Sequence, residues 1–419
     1  MWLSFLVTAA EAGCGAWAAP PGTPVLTSAS QVIIAKNTDR LAITMAVDAV
    51  AAPTDFALIV PVPAVLTAQD VSVVSNELFA RFDAFTAPRI GTLDCESFFG
   101  QSADTGSDTG GSEGTEASDS VTIASTFVVG SYEFFVLDAT DAGGLVAWLD
   151  VEGFVIPEAS EPVVQEYLDA GQYMLAARVR LDSLPDTEPI WLEPIQLRYA
   201  ATGDSFVLPI RLGATVSPGE QDLVVYVLTD TPDSRVAISN MDETAVTSGC
   251  MVPDEDFAAF YDGQLAAAFE TGTWLVEHAG DTFWSASVFE SAPPLTSEEL
   301  ASAGSDAASP FLTRLHLRYT PAEATQDVVI YPSGLYEPQS TWFLTYTEEL
   351  DGLYPVCGEG IVGDHDCSEP VEDTAEPGVW GDPPVPGEAE ADAAATGCAG
   401  APALLLLAAP GLWRRRLRR

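Results

Sequence analysis

Three histidines, His278, His316 and His365, bound the acid–base and metal chemistry open to this chain, because a histidine-dependent mechanism needs one of them beside a nucleophile or a metal. Leu315-His316-Leu317 lies in an alternating run, so His316 shares a face with Arg314 and Arg318. That pattern predicts a surface histidine on the polar side of a strand. Glu277-His278 precedes Gly280-Asp281 and reads as a turn. Asp364-His365-Asp366 sets carboxylates on both sides of an imidazole, donors that can hold a metal, but it falls in a loop between two cysteines expected to pair. No metal site and no cofactor are expected there. The chain has no G-x-S-x-G elbow, no H-E-x-x-H helix and no phosphate-binding glycine loop. With 62 Asp and Glu residues, no single pair stands out as an acid–base couple. No catalytic residue is assigned, and the residues give no reason to expect an enzyme.

Arginines are the other scarce polar group. Arg178, Arg180, Arg198, Arg211, Arg314 and Arg318 fall on predicted strands, with Arg178 and Arg180 on one face and Arg314 and Arg318 on another. In so acidic a chain the first expectation is pairing with its own carboxylates, which contributes little where solvent screens it. The functional alternative is a groove for an anionic glycan or a carboxylate-bearing ligand.

The elements that position these residues read mainly as strands. Gln31 to Lys36 and Arg40 to Val47 flank the turn-like Asn37-Thr38-Asp39 and predict a hairpin. Phe56 to Val60 runs into Pro61-Val62-Pro63, a strand whose exit proline fixes. Asn76 to Phe85 reads as a helix with Leu78, Phe79, Phe82 and Phe85 on one side. Tyr132 to Leu137 is a strand and Asp141 to Leu149 a helix; Pro162 to Ala170 is a helix stopped by Gly171, and Tyr173 to Leu181 returns as a strand. Asp254 to Phe269 is the strongest helix pattern, with Phe257, Phe260, Tyr261, Leu265 and Phe269 at helical spacing behind an acidic first turn. Ile195 to Tyr199 resembles Leu315 to Tyr319, and Gln221 to Tyr226 resembles Gln326 to Tyr331; with unequal gaps between them, chance similarity of strands is the first reading and strand pairs from two related lobes the alternative. The fold class expected is α+β: β-rich mixed antiparallel sheets in one or two lobes, a few packed helices and disordered acidic inserts.

Length and charge frame the whole. A chain of 419 residues with 47% hydrophobic content can bury a sizeable core. Its net charge of −46 excludes nucleic acid as a partner and leaves divalent cations as a possible one. Residues 1–12 read as a signal peptide, with an apolar Trp2 to Ala10 and small residues at Ala10-Glu11-Ala12, although no basic residue precedes Lys36. At the other end, Cys398 precedes an apolar segment through Leu404 to Leu407, followed by Arg414, Arg415, Arg416, Arg418 and Arg419. Residues 396–419 therefore read as a membrane-retained sorting segment with Cys398 as the processing or lipidation candidate and the arginines on the cytoplasmic face. Between the ends, 13–101 and 121–367 form the folded body, interrupted by a linker at 102–120 of small and acidic residues. A Pro-rich acidic stalk at 368–395 joins the body to the sorting segment. For an exported chain, Cys14, Cys95, Cys250, Cys357 and Cys367 are disulfide candidates, with Cys357 and Cys367 bracketing a Gly-rich loop and Cys14 able to reach Cys95.

The order of several segments carries a resemblance. Ala12-Gly13-Cys14-Gly15, Phe56 to Pro63, Ala87-Pro88-Arg89 before Cys95, and Tyr132-Glu133 with Val136-Leu137 ahead of Trp148-Leu149 form its first part. Gly153 to Pro157, Leu208 to Leu212 and Thr313 to Tyr319 complete it. Together they resemble the DUF2330 family of uncharacterised bacterial exported proteins, from Gly13 to about Tyr346. The carboxy-terminal signal is similar to the sorting signals of myxobacteria, which implies a sorting protease as partner and membrane anchoring, at least transient, in the cell envelope or at the cell surface. The family implies no activity and no catalytic residues. The expected role is a structural or binding module at the cell surface, with a hydrolase of envelope or extracellular polymers as the alternative.

Overall fold

The protein is described from a computed structural model, which covers residues 15–18, 30–46, 56–91, 122–180, 192–217, 219–230, 234–246, 250–251, 256–282, 292–334 and 338–345. The segments expected as signal peptide, acidic linker, stalk and sorting segment with its arginines, together with His365 and every candidate cysteine except Cys250, lie outside them. Among the described residues, no helix is long and apolar enough to cross a membrane.

The chain opens with β1 (Ala16–Ala18), β2 (Ser30–Lys36), β3 (Arg40–Met45), β4 (Ala57–Val62) and β5 (Val71–Val73). Next come α1 (Glu77–Thr86), β6 (Arg89–Gly91), and the hairpin of β7 (Thr122–Val129) with β8 (Tyr132–Asp138), whose two-residue turn puts Gly130 at φ 56°. Then follow α2 (Ala142–Val151), α3 (Glu161–Asp169), β9 (Tyr173–Val179), β10 (Ile195–Ala200), β11 (Phe206–Leu208) and α4 (Arg211–Val216). β12 (Gln221–Thr229), β13 (Val236–Ile238), β14 (Cys250–Met251) and α5 (Phe257–Ala268) lead into β15 (Trp274–Asp281) and α6 (Ser297–Ser302). β16 (Phe311–Tyr319), β17 (Val328–Pro332), β18 (Gln339–Ser340) and β19 (Trp342–Thr345) complete the fold.

These elements make an α+β protein dominated by sheet. An eight-stranded sheet runs β18-β15-β16-β12-β2-β3-β10-β5, antiparallel except where β2 pairs parallel with β12. A five-stranded antiparallel sheet runs β1-β4-β9-β8-β7. Period-two alternation assigns each strand's faces. Val32, Ile34, Ile43, Leu223, Val225, Leu315 and Leu317 of the large sheet meet Leu58, Val60, Phe134, Val136 and Leu175 of the smaller one in a single shared core. Helices cover the outer faces. α2, α3 and α4 pack on the five-stranded sheet through Leu145, Leu149, Val164, Tyr167 and Leu212. α1 and α6 pack on the eight-stranded sheet through Leu78, Phe82, Phe85 and Leu300, so the body is a four-layer arrangement of helix, sheet, sheet and helix. Each fully buried Leu, Ile or Phe in those layers stabilises by about 1.5–3 kcal/mol.

One sequence alternative falls and one expectation is corrected. The paired stretches do not mark two related lobes: β10, β12 and β16 all belong to the eight-stranded sheet, whereas β17 is the centre of a separate three-stranded sheet, β11-β17-β13. Strand-like composition recurs wherever a strand is buried, and no duplication is needed to explain it. Glu277 and His278 are not in a turn. They sit inside β15, at a bulge between Val276 and His278.

Gly304 ends α6 at φ 87°, and a β-carbon there would lie 2.5 Å from the Cβ of Ala42. Both the left-handed backbone and the clash oppose any side chain. Gly304→Ala is expected to cost about 1–3 kcal/mol, measured as a lower urea midpoint; an unchanged midpoint would mean that α6 does not approach the sheet this closely.

Candidate functional site

The outer face of the eight-stranded sheet carries a cluster of charges buried under two helices. Along β16, Phe311, Leu315, Leu317 and Tyr319 face the shared core, so Arg314, His316 and Arg318 face outward. On the neighbouring β12, Asp222 lies opposite Arg318 in the register. β15, on the other side, would by alternation turn His278 inward. Its bulge adds one residue, Glu277, with no partner in the register, so that Val276 still faces the core while Glu277 and His278 both face outward and Ala279 returns to the core. Two consecutive polar residues are thereby aimed at one layer.

Glu277 is fully buried and is the hub. Its Oε1 accepts from His316 Nδ1 at 2.8 Å and from the Tyr261 hydroxyl of α5, and its Oε2 accepts from Arg314 Nε. Arg314 Nη1 donates to Asp83 Oδ1 of α1 at 2.7 Å and to Thr86 Oγ1 at 3.3 Å. His316 Nε2 donates to Asp222, which also accepts from Arg318 Nη2 at 2.6 Å, and the same Nη2 reaches Asp262 of α5 at 3.4 Å. Aromatic rings line the charges: Arg314 lies 5.3 Å over Tyr226, Arg318 lies 5.3 Å over Phe269, and Phe269 meets His316 edge-on.

The electrostatics follow from this pairing. Burial pushes the Glu277 carboxyl up, but the charges of Arg314 and His316 and the hydrogen bonds from His316 and Tyr261 outweigh it and hold the group well below the usual carboxylate range. Burial alone would neutralise His316; the Glu277 charge and the Asp222 hydrogen bond reverse that and raise it to about 9. Asp222 is likewise pulled low against its burial, by the hydrogen bond and charge of His316 and then by Arg318. At neutral pH three cations, Arg314, His316 and Arg318, therefore meet the carboxylates Asp83, Glu277 and Asp222. His278 is the opposite case. Burial, reinforced by the charges of Arg314 and Arg89, lowers it to about 3, so it stays neutral. Its Nδ1 meets Ser340 Oγ at 3.0 Å, its ring meets Phe85 edge-on, and its buried Nε2 has no partner among the described residues.

The expectation of a solvated His316 is thus corrected: it is only 7% exposed. Alternation placed it on the correct face with Arg314 and Arg318, but α5 and α1 cover that face. The expected pairing of arginines with carboxylates holds for Arg178 with Glu152, Arg211 with Glu166, and Arg314 and Arg318. Arg198 is different: its guanidinium has no hydrogen-bond or ion-pair partner among the described residues, although its backbone N–H donates to the Asp70 carbonyl. Glu277, Asp222, Tyr261 and Asp83 were not singled out from the sequence. One signal was available: three cations alternating on one strand of a strongly acidic chain require carboxylates on both adjoining strands.

As chemistry, the cluster is a closed ion network. Every charged hub is bonded to another member, Tyr261 donates its proton inward, and the His278 imidazole beside Ser340 is too weak a base to deprotonate a hydroxyl at neutral pH. Among the described residues no three His, Cys, Asp or Glu side chains are placed to hold a metal. A cleft between the sheets, lined by Ile43, Met45, Val60, Leu197 and Tyr199, holds about 10 Å³, which is room for one water molecule at most.

This architecture defines an α+β protein of two stacked sheets with helices on both outer faces and a buried charge network on one of them. The chain belongs to the DUF2330 family, described as an uncharacterised protein conserved in bacteria, whose model matches residues 8–331 and so includes every member of the network. No curated protein and no solved structure matches the chain.

Proposed function

We propose that this bacterial protein is exported and held in the cell envelope, where its body serves as a structural or binding module. The observation that carries the reading is the closure of the charge network: Glu277, Arg314, His316 and Asp222 are bonded to one another and tie α1 and α5 to the sheet, an arrangement suited to rigidity and not to turnover. The address is supported by the sequence at both ends. A signal-like leader would give a mature start near Gly13 or Cys14. The apolar segment after Cys398, closed by an arginine cluster, would hold the chain in the membrane until a sorting protease acts. In that compartment the cysteines would be oxidised.

Cell fractionation followed by intact-mass measurement tests this directly. The expected result is protein in the envelope fraction, shortened at the amino terminus, with the mass deficit of disulfides and a cleaved or lipid-bearing Cys398. Recovery from the cytosol with both termini intact and all thiols free would overturn the proposal. The alternative of a hydrolase has one contact on its side, Ser340 Oγ to His278 Nδ1. The low basicity of His278 disfavours it.

A further inference from the structure

Arg198 is the exception in a protein where arginines are scarce and carboxylates abundant. It lies on β10 opposite Ala42 of β3, two register positions from the pairing of Ala200 with Arg40, so the guanidinium groups of Arg198 and Arg40 are diagonal neighbours on the same outer face. Arg40 Nη2 holds both carboxylate oxygens of Asp306 at 2.7 Å, with Arg40 43% and Asp306 62% exposed. That is one carboxylate for two cations. Asp70 accepts through Oδ2 from the backbone N–H and hydroxyl of Thr67, and through its main-chain oxygen from the Arg198 N–H. Arg198 is half-buried, and among the described residues its guanidinium has no partner and the buried Nε of Arg40 has none either. Burial, and then repulsion from Arg40, disfavours the charge on Arg198, with Asp306 offsetting part of it. A further anion would relieve that repulsion.

We propose that Arg198 and Arg40 form a binding site for a carboxylate-bearing ligand on the outer face of the eight-stranded sheet, where an external carboxylate joins Asp306 or displaces it. The grip of Arg40 on Asp306 supplies the argument for a carboxylate, since both oxygens of one already sit on Arg40 Nη2, beside the guanidinium of Arg198. The net charge of −46 sharpens the test, because the protein as a whole repels anions and any affinity must be local. This inference names a ligand for the binding reading and rests on it; its failure would leave the envelope address to be decided by fractionation.

The experiment is calorimetric titration of the purified protein with glucuronate, with glucose and inorganic phosphate as parallel probes, all at one ionic strength. Glucuronate is expected to saturate, glucose to give no binding heat and phosphate to bind more weakly. Arg198→Gln is expected to weaken glucuronate by about tenfold or more, the loss that follows removal of a charge-assisted pair. Asp306→Asn, which removes the internal competitor, is expected to tighten it, and this variant carries the test should Arg198→Gln fail to fold. Glucuronate behaving like glucose would overturn the proposal. Equal affinity in the parent and Arg198→Gln, or weaker binding by Asp306→Asn, would do the same, and phosphate binding in place of glucuronate would overturn the carboxylate assignment.

Discussion

Replacing Glu277 with glutamine is expected to destabilise the protein by about 3–5 kcal/mol, the range for breaking a buried ion pair by removing one partner. The substitution keeps the shape of the side chain, so packing is nearly unchanged. What changes is that Arg314, 7% exposed, and His316, equally buried, lose the charge that both face. Asp83 and Asp222 each retain one contact with those cations but are themselves partly open to water and cannot replace a fully buried carboxylate. A loss of this size is a large fraction of the roughly 5–15 kcal/mol that holds a folded domain together. Urea denaturation gives the measurement, as a fall in midpoint at unchanged slope. Two comparisons separate a network effect from general sensitivity. Asp262→Asn removes only a 3.4 Å contact from an exposed carboxylate, and a change within about 1 kcal/mol is expected. Tyr261→Phe removes one hydrogen bond to Glu277 and belongs between the two, at about 1–1.5 kcal/mol. If Glu277→Gln cost no more than Asp262→Asn, the network would not be what ties the helices to the sheet.

The elements of this fold were far more legible in the sequence than the contacts between them. α1 appeared with its whole apolar face, because Leu78, Phe79, Phe82 and Phe85 recur at helical spacing and all four are buried. β4 runs two residues past the expected Val60, through Pro61 to Val62; Pro61 is tolerated within it because β1 pairs only as far as Ile59, so no donor is missed on that side. Which strands pair is another matter. β2 lies parallel to β12, nearly two hundred residues later in the chain, and nothing local in Ser30–Lys36 encodes that choice. The site was half legible for the same reason. Alternation placed Arg314, His316 and Arg318 on one face, but a face is read from one strand and its cover from another, so His316 looked solvated. Glu277-His278 looked like a turn because Gly280-Asp281 follows two adjacent polar residues, whereas the strand runs on to Asp281. The polar pair marks a bulge, and the bulge is what brings the hub carboxylate between its cations.

The same charges predict how stability should vary with pH. His316 is raised in the folded state from 6.5 to about 9. Its contribution is therefore fully present below pH 6.5 and is lost as pH rises through about 9, a change on the order of 3 kcal/mol at one pKa unit per 1.36 kcal/mol. The groups facing it from each packed element account for the direction: Glu277 from β15 and Asp222 from β12 hold the proton, against Arg314 and Arg318 on its own strand, while Tyr261 and Phe269 from α5 and its end exclude water. His278 acts on the other side. Lowered to about 3, it is neutral when folded, so its contribution is present above pH 6.5 and is lost as pH falls toward 3, with Glu277 and Asp222 adding their own losses below the ordinary carboxylate range. Stability should accordingly peak near pH 6.5 and fall on both limbs. His316→Gln keeps a hydrogen-bonding side chain but cannot carry the proton, so it is expected to be less stable than the parent at pH 6.5 and to lose the alkaline limb between pH 6.5 and 9. Melting temperature against pH for the two proteins decides the matter. Parallel alkaline limbs would place the proton elsewhere and remove His316 from its role as the third cation of the network.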